Sequence, residues 1–308
     1  ELMRKLSVPL IGQLTYTSWE SPSGQGGWQV KEVRGLPPDW AHTVETLAPT
    51  DLPHPYVADL RFVPESQVRL WPRRLAYREL PGAPGYFVVL HSVPAGMDRS
   101  GRPGNVFTHG AVVDPGALPT SPIVTWRSES WLAPFGPEGV DAARLHRDTL
   151  EAPDLTDALN EFLRGGEVWR PGVLGVMLDA LRARRRGGPS LVVVCHDTDD
   201  AASWLQCLVA AASPRTAARL AFSTLEPKGG EGRGSGSLFD VVCVLRDEVQ
   251  PESLRDSYVI DTAEDPTLGV RGGEPHATGL GLPIPASLWS ELFIEAYSVA
   301  DDVGPLQT

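Results

Sequence analysis

The densest run of chemistry-bearing side chains is Asp98-Arg99-Ser100-Gly101-Arg102-Pro103-Gly104-Asn105-Val106-Phe107-Thr108-His109. Two guanidiniums, an acid, an amide and an imidazole surround a turn that leads into an extended stretch. If that stretch is a regular strand, Asn105, Phe107 and His109 share one face, because strand side chains alternate with a period of two. Arg102, with Arg99 nearby, could then grip an anion bidentately, while Asn105 and His109 act as hydrogen-bonding or acid–base partners. The competing reading is structural: Asp98 and Arg102 tie the turn together and His109 is a satisfied inner histidine. Gln13, Thr15, Tyr16, Thr17 and Ser18 make a hydroxyl-rich strand end that could line the same pocket. Equally, Tyr16 and Trp28 could be core aromatics, with Gly26 and Gly27 supplying positive φ. The ligand-binding candidates are Tyr16, Arg99, Arg102, Asn105 and His109; no catalytic residue and no metal ligand is assigned.

Three other constellations read more simply. Cys195, His196 and Asp197 resemble a catalytic trio, but adjacent strand residues point to opposite faces, so Cys195 and His196 cannot meet as nucleophile and base. Asp197, Thr198, Asp199 and Asp200 sit where an α/β crossover places ligands. Acids there also cap the following helix and complement its dipole, so no metal is invoked. Arg182, Arg184, Arg185 and Arg186 either complement a helix C-terminus or dock an acidic partner. No Gly-x-x-x-x-Gly-Lys-Ser/Thr occurs, and Lys228, the only lysine beside glycines, precedes its glycine run instead of opening a helix. Gly-x-Gly-x-x-Gly, His-Glu-x-x-His and Gly-x-Ser-x-Gly are absent too. Nucleotide or peptide hydrolysis by a mechanism with a familiar local signature is therefore not expected, and no cofactor is expected.

The elements that must position these residues fall into two styles. Residues 1–137 form a mostly-β domain. Strands are expected at 11–18, 28–33, 70–80, 86–93 and 105–113, separated by turns at 21–27, 82–85 and 96–104, with one helix at 37–48. From 138 to 260 the period becomes helical, giving helices at 139–150, 155–163, from Pro171 to the arginine run, and 201–212. Between them lie buried strands at 190–195, 220–225 and 238–245, and the glycine-rich 229–237 reads as a mobile hairpin loop. Strand–helix–strand at this spacing predicts a parallel crossover in a small α/β domain. Residues 261–308 read as an irregular connection and a terminal helix at 286–299, the start of a further region in one reading. The fold class is thus α+β followed by α/β.

Bulk composition sets the outer limits. The 308 residues are 42% hydrophobic and 21% charged, ordinary globular values with enough length for two cores. The longest apolar runs, 191–195 and 241–245, fall far short of the roughly 20 residues that span a bilayer. A basic touch at 1–5 precedes only a brief apolar segment at 8–11, so no signal peptide is expected. The three cysteines match no zinc or redox spacing and fall in buried elements, which points to the cytoplasm. Net charge is −12, and nearly all of it lies in 151–308, where 24 acids face 13 cations. That half opposes nucleic-acid binding, whose affinity comes from cationic neutralisation of phosphates.

Several short blocks resemble a known family. Gln13-Leu14-Thr15-Tyr16-Thr17-Ser18, Gly26-Gly27-Trp28-Gln29-Val30, Gly35-Leu36, the run from Gly101 to His109, Trp126-x-Ser128 and Trp131 resemble the second type of N-terminal domain of GTPase-associated protein 1. Val192-Val193-Val194-Cys195-His196-Asp197, Ala201-Ala202-Ser203-Trp204-Leu205 and Arg219-Leu220-Ala221-Phe222-Ser223-Thr224 resemble that family's middle domain. The resemblance touches most of residues 10–260. It implies a component of a bacterial GTPase-centred conflict or signalling system with a partner GTPase encoded nearby, and often a longer chain. It transfers no reaction onto these residues. The first functional reading is a non-enzymatic adaptor or regulator that binds a GTPase or another protein of the same system. The second is an enzyme or small-ligand sensor with an anion-binding pocket around Tyr16, Arg102, Asn105 and His109, which requires those side chains to converge on one concave surface.

Overall fold

The computed structural model describes residues 6–21, 23–53, 63–68, 70–226 and 237–299. The opening pentapeptide, Lys228 and the glycine-rich run up to 236 lie outside the described residues. The chain divides into two compact units, Glu1–Pro153 and Asp154–Thr308.

The first unit contains β1 (Ser7–Pro9), β2 (Gly12–Glu20), β3 (Gly26–Arg34), α1 (Pro38–Leu47), α2 (Glu65–Val68), β4 (Arg74–Glu79), β5 (Phe87–Met97), β6 (Pro103–Val113), α3 (Gly136–Ala142) and β7 (Thr149–Glu151). Five of its strands pair antiparallel in the order β4-β5-β6-β2-β3. Helix α1 docks on one face of this sheet through the buried Val44. The close approach needs Gly110 on β6, where an added Cβ would stand 2.7 Å from a Val44 methyl. The other face is covered by Trp131, against His91 and His109, and by α3, whose Val140 packs with Val93, Ala95 and Phe107.

Two expectations change here. Strand β5 runs on to Met97 because its register shifts around Gly96, which adopts φ 81° and absorbs the irregularity, so the turn shrinks to residues 98–102. The helix expected at 139–150 stops at Ala142. Residues Thr149–Glu151 instead pair antiparallel with β1, burying Leu150 opposite Val8. Burial of that cross-strand pair wins over local helical propensity.

The second unit contains α4 (Thr156–Arg164), α5 (Arg170–Arg184), β8 (Leu191–Cys195), α6 (Thr198–Ala211), α7 (Pro214–Ala217), β9 (Phe222–Ser223), β10 (Val241–Leu245), β11 (Tyr258–Asp261) and α8 (Leu288–Val299). Its strands pair in parallel in the order β11-β8-β10-β9. Strand β8 is buried along its whole length, which is why it reads as one continuous apolar run. Strand β11 was not expected: four residues are too short to declare a period. Strand β9 keeps two of the six residues expected for it.

Candidate functional site

The β5–β6 turn is built around one carboxylate. Asp98 Oδ1 accepts from the Ser100 N–H at 2.9 Å, the Ser100 hydroxyl at 2.6 Å and the Arg102 N–H at 3.0 Å. Its Oδ2 accepts from Arg102 Nε at 3.0 Å and Ser18 Oγ at 3.1 Å, and ion-pairs with Arg102 Nη2 at 2.9 Å. Burial alone would raise this carboxyl. The bonds from Ser100, Arg102 and Ser18 outweigh it and hold the pKa at about 2. Arg102 is therefore engaged within the turn, although most of its side chain remains in solvent. Arg99 turns instead to Asp141 on α3, the carboxylate that also accepts from Trp19 Nε1 at 2.9 Å.

Asn105 does the work of a peptide unit. The β2–β6 ladder ends at the Thr17–Phe107 pair. Beyond it, Asn105 Oδ1 accepts from the Ser18 N–H and the Thr17 hydroxyl, and Nδ2 donates to the Ser18 carbonyl, each at 3.1 Å. The amide continues the ladder by one rung and leaves no buried backbone group of Ser18 unpaired.

His109 is 3% exposed. The Leu132 N–H donates to its Nδ1 at 3.3 Å, so the proton sits on Nε2, which donates to Gln13 Oε1 at 2.9 Å. Trp131 lies edge-on to it at 5.0 Å and stacks at 5.1 Å on His91, the residue directly opposite His109 on β5. Burial, reinforced by the neighbouring His146, pushes the His109 pKa down to about 3, and burial likewise lowers that of His91. Both rings are neutral wedges in the sheet–Trp131 layer.

Tyr16 sits opposite Thr108, one residue out of phase with His109 and Asn105, and so projects from the other face of the sheet, where it stacks on Trp28 at 5.9 Å. The structure brings Asp98, Arg102, Ser18 and Asn105 together, places His109 deeper on the same face, sends Arg99 to α3 and separates Tyr16 from all of them. The five candidates do not converge on one concave surface. The recess that touches Asn105, between Trp71, Pro94, Gly96 and Gly104, offers about 10 Å³, at the lower limit for holding a single water.

In the second unit, Cys195 is fully buried and burial pushes its thiol upward, while His196 is exposed. Asp197 is the N-cap of α6, accepting from the Asp199 and Asp200 N–H groups at 2.9 and 2.8 Å. Asp200 accepts from the His196 N–H and the Thr262 hydroxyl. Arg184 and Arg185 flank Asp240, and Arg184 also donates to the carbonyls of Gly188 and Ser237, closing the end of α5.

A network that sequence reasoning missed lies on α5. Asp179 is 1% exposed. Its Oδ2 accepts from His276 Nε2 at 3.0 Å and from the Ser287 N–H at 2.8 Å, and its Oδ1 from the Ser287 hydroxyl. The Gly269 N–H donates to His276 Nδ1 at 2.8 Å, which fixes the tautomer. Burial opposes ionisation of Asp179, but these bonds prevail and its pKa is lowered. The signal was present: a lone acid inside the apolar stretch 173–181 demands a buried partner.

Two family models match the chain: the GTPase-associated protein 1 N-terminal domain of type 2 over residues 10–150, and the middle domain of the same protein over residues 159–264. A Mycolicibacterium smegmatis protein (strain ATCC 700084 / mc(2)155), whose name proposes for it the role of ESX-1 scaffolding and assembly protein SaeB, is 35% identical over 292 residues. The counterpart in strain MKD8 carries the same name and is 34% identical over the same length. In both cases the match covers 92% of this chain and 34% of the relative, so the chain spans about a third of the length of the curated relatives it matches. No solved structure matches.

Proposed function

Because the chain belongs to the GTPase-associated protein 1 family, with that family's type 2 N-terminal domain and its middle domain, we propose that it is a non-enzymatic adaptor or regulatory component of a bacterial GTPase-associated conflict or signalling system. In this reading it binds a partner GTPase or an associated effector in the cytoplasm, and neither a membrane nor nucleic acid is its ligand. The observation that carries the reading is how the polar side chains of the β5–β6 turn are used. Asp98 braces Arg102, Ser100 and Ser18; Asn105 extends the β2 ladder; Arg99 holds α3. Side chains committed to bracing a scaffold favour presenting a surface over turning over a substrate. The chain has no lysine-tipped glycine loop to cradle a nucleotide, so the switch would reside in another polypeptide. The scaffolding and assembly role in the name of the mycobacterial relatives agrees with an adaptor.

The test is affinity capture of the full chain from its native cell with GTP, with GDP and without nucleotide. A GTPase encoded near the chain's own gene should be recovered, in an amount that depends on the nucleotide. Recovery of neither a GTPase nor another protein of that system in any state would sink the proposal. Direct turnover of GTP or ATP by the purified chain would do the same.

A further inference from the structure

We infer that two copies of this chain dock through strand β3, whose free edge pairs antiparallel with the same edge of the second copy across a two-fold axis. This goes beyond the adaptor reading and does not rest on it. Strand β3 ends the sheet of the first unit, where its neighbour is β2. Among the described residues no other strand pairs with it, and no hydrogen bond from outside the β2–β3 ladder reaches the backbone of residues 26–34. A strand directs the N–H and C=O groups of alternate residues to its two sides, so this nine-residue strand leaves one row of them without a protein partner. Another extended chain repeats donors and acceptors at that spacing, whereas a helix bonds its backbone internally.

The side chains that usually keep an edge single are drawn elsewhere. Charged residues, lysine above all, commonly guard such edges. Here Lys31 donates to the Ala143 carbonyl at 2.6 Å and lies over the Trp19 ring, Glu32 accepts from the Leu145 N–H at 2.9 Å, and Arg34 holds Asp148 at 2.9 Å. All three are turned toward residues 143–148. The side facing α1 keeps apolar residues. Val33 pairs with Leu14 and Val30 with Tyr16, Trp28 stacks on Tyr16, and Leu14 and Val44 of α1 both lie against Gly110. Val30 and Val33 share this face because the register shifts at Lys31, which has no counterpart on β2. Val33 is 44% exposed and Trp28 38%.

The sequence of β3 complements itself in one long register. With Trp28 opposite Val33 of the second copy, residues 27–34 overlap, and symmetry makes the contact twice. Gln29 then faces Glu32, Gly27 faces Arg34 and Val30 meets the bulged Lys31, so no like charges stand opposite and each pair except the bulged one is in phase. A slip of one residue either way sets Trp28 opposite Glu32 or Arg34, which belong to the other face of the sheet. Paired Trp28 and Val33 cover each other's exposed surface, as cross-strand aromatic and β-branched pairs do. Net charge permits the approach: residues 1–150 carry 14 cations against 15 acids, so two first units bring no large like charge together.

The experiment follows the purified full chain by sedimentation velocity and by hydrogen exchange over a concentration series. A dimer should grow with concentration, and amides at alternate positions of residues 27–34 should exchange more slowly as it does. Val33→Asp should weaken the dimer about tenfold or more, as loss of a central apolar contact does. Its site is exposed, and circular dichroism checks that each variant folds. Cysteine pairs report the register, since the native cysteines are buried. Trp28→Cys combined with Val33→Cys should give a disulfide-linked dimer under mild oxidation, because the two positions lie roughly 17 Å apart along one strand and cannot bridge within a chain. Trp28→Cys combined with Glu32→Cys should remain a monomer on a non-reducing gel. Any of four results would overturn the inference: a monomer throughout the series, a dimer that leaves the β3 amides unchanged, a dimer indifferent to Val33→Asp, or cross-linking that fails to prefer the first cysteine pair over the second. Protection of the β3 amides that appears only when another protein is added would overturn it as well, by giving the edge to a different partner.

Discussion

Mild acid should loosen the first unit through His109 before any ordinary carboxylate titrates. The folded protein holds this imidazole at a pKa of about 3, against the usual 6.5 in the unfolded chain. Between those values the unfolded chain takes up a proton that the folded chain refuses. Stability is therefore full above pH 6.5 and is lost as the pH falls toward 3. Each pH unit inside the window costs about 1.4 kcal/mol, so reaching pH 4.5 removes about 3 kcal/mol and the whole window about 5 kcal/mol. His91 adds to the loss, because burial lowers its pKa as well. Asp98, held at about 2, contributes only below its ordinary 3.8, so the interval from 6.5 to 4.5 reports the imidazoles. The assay is urea unfolding of the full chain at pH 7 and pH 4.5, followed by tryptophan fluorescence, for wild type and His109→Gln. Glutamine can still donate to Gln13 and accept from Leu132, but takes up no proton. The wild type should lose about 3 kcal/mol more than the variant over that interval. Equal losses in the two proteins would refute the reasoning, whatever the variant's stability at neutral pH.

Asp179→Ala strips His276 and Ser287 of their shared acceptor and should cost about 3–5 kcal/mol, the range for breaking a buried charged network. Thermal unfolding measures it, and a loss below about 1 kcal/mol would show that the loop bearing His276 and α8 hold without the carboxylate. Asn105→Ala leaves the Ser18 N–H and C=O without the partners that the amide supplies, at a cost of about 2–3 kcal/mol, with faster hydrogen exchange at the Ser18 amide as its local signature. Unchanged exchange there would mean that the side-chain rung is dispensable. Gly110→Ala forces a methyl against Val44 and should cost about 1–3 kcal/mol in chemical unfolding, whereas a neutral result would mean that α1 shifts freely over the sheet.

Alternation and turn chemistry were enough to locate β2, β3, α1, the core of the β5–β6 hairpin, and the switch from strand to helical period before β8. These signals are local: an apolar residue at every second or every third-to-fourth position records which face of its own element is buried. The same logic placed Asn105, Phe107 and His109 on one face. It could not reveal that Tyr16 lies across the sheet from them, because phase between strands is set by pairing register, and a slip of one residue reverses it. Nor does composition disclose that Val8 meets Leu150, that four residues at 258–261 complete a parallel sheet, or that Arg99 spends its charge on α3. The polar contacts that decide the site join partners far apart in the chain: Ser18 to Asp98 across 80 positions, Gln13 to His109 across 96, and Asp179 to His276 and Ser287 across 97 and 108. A buried polar atom must find a partner wherever folding delivers one. The sequence alone determined which groups would need partners, and only the tertiary structure decided which partners they found.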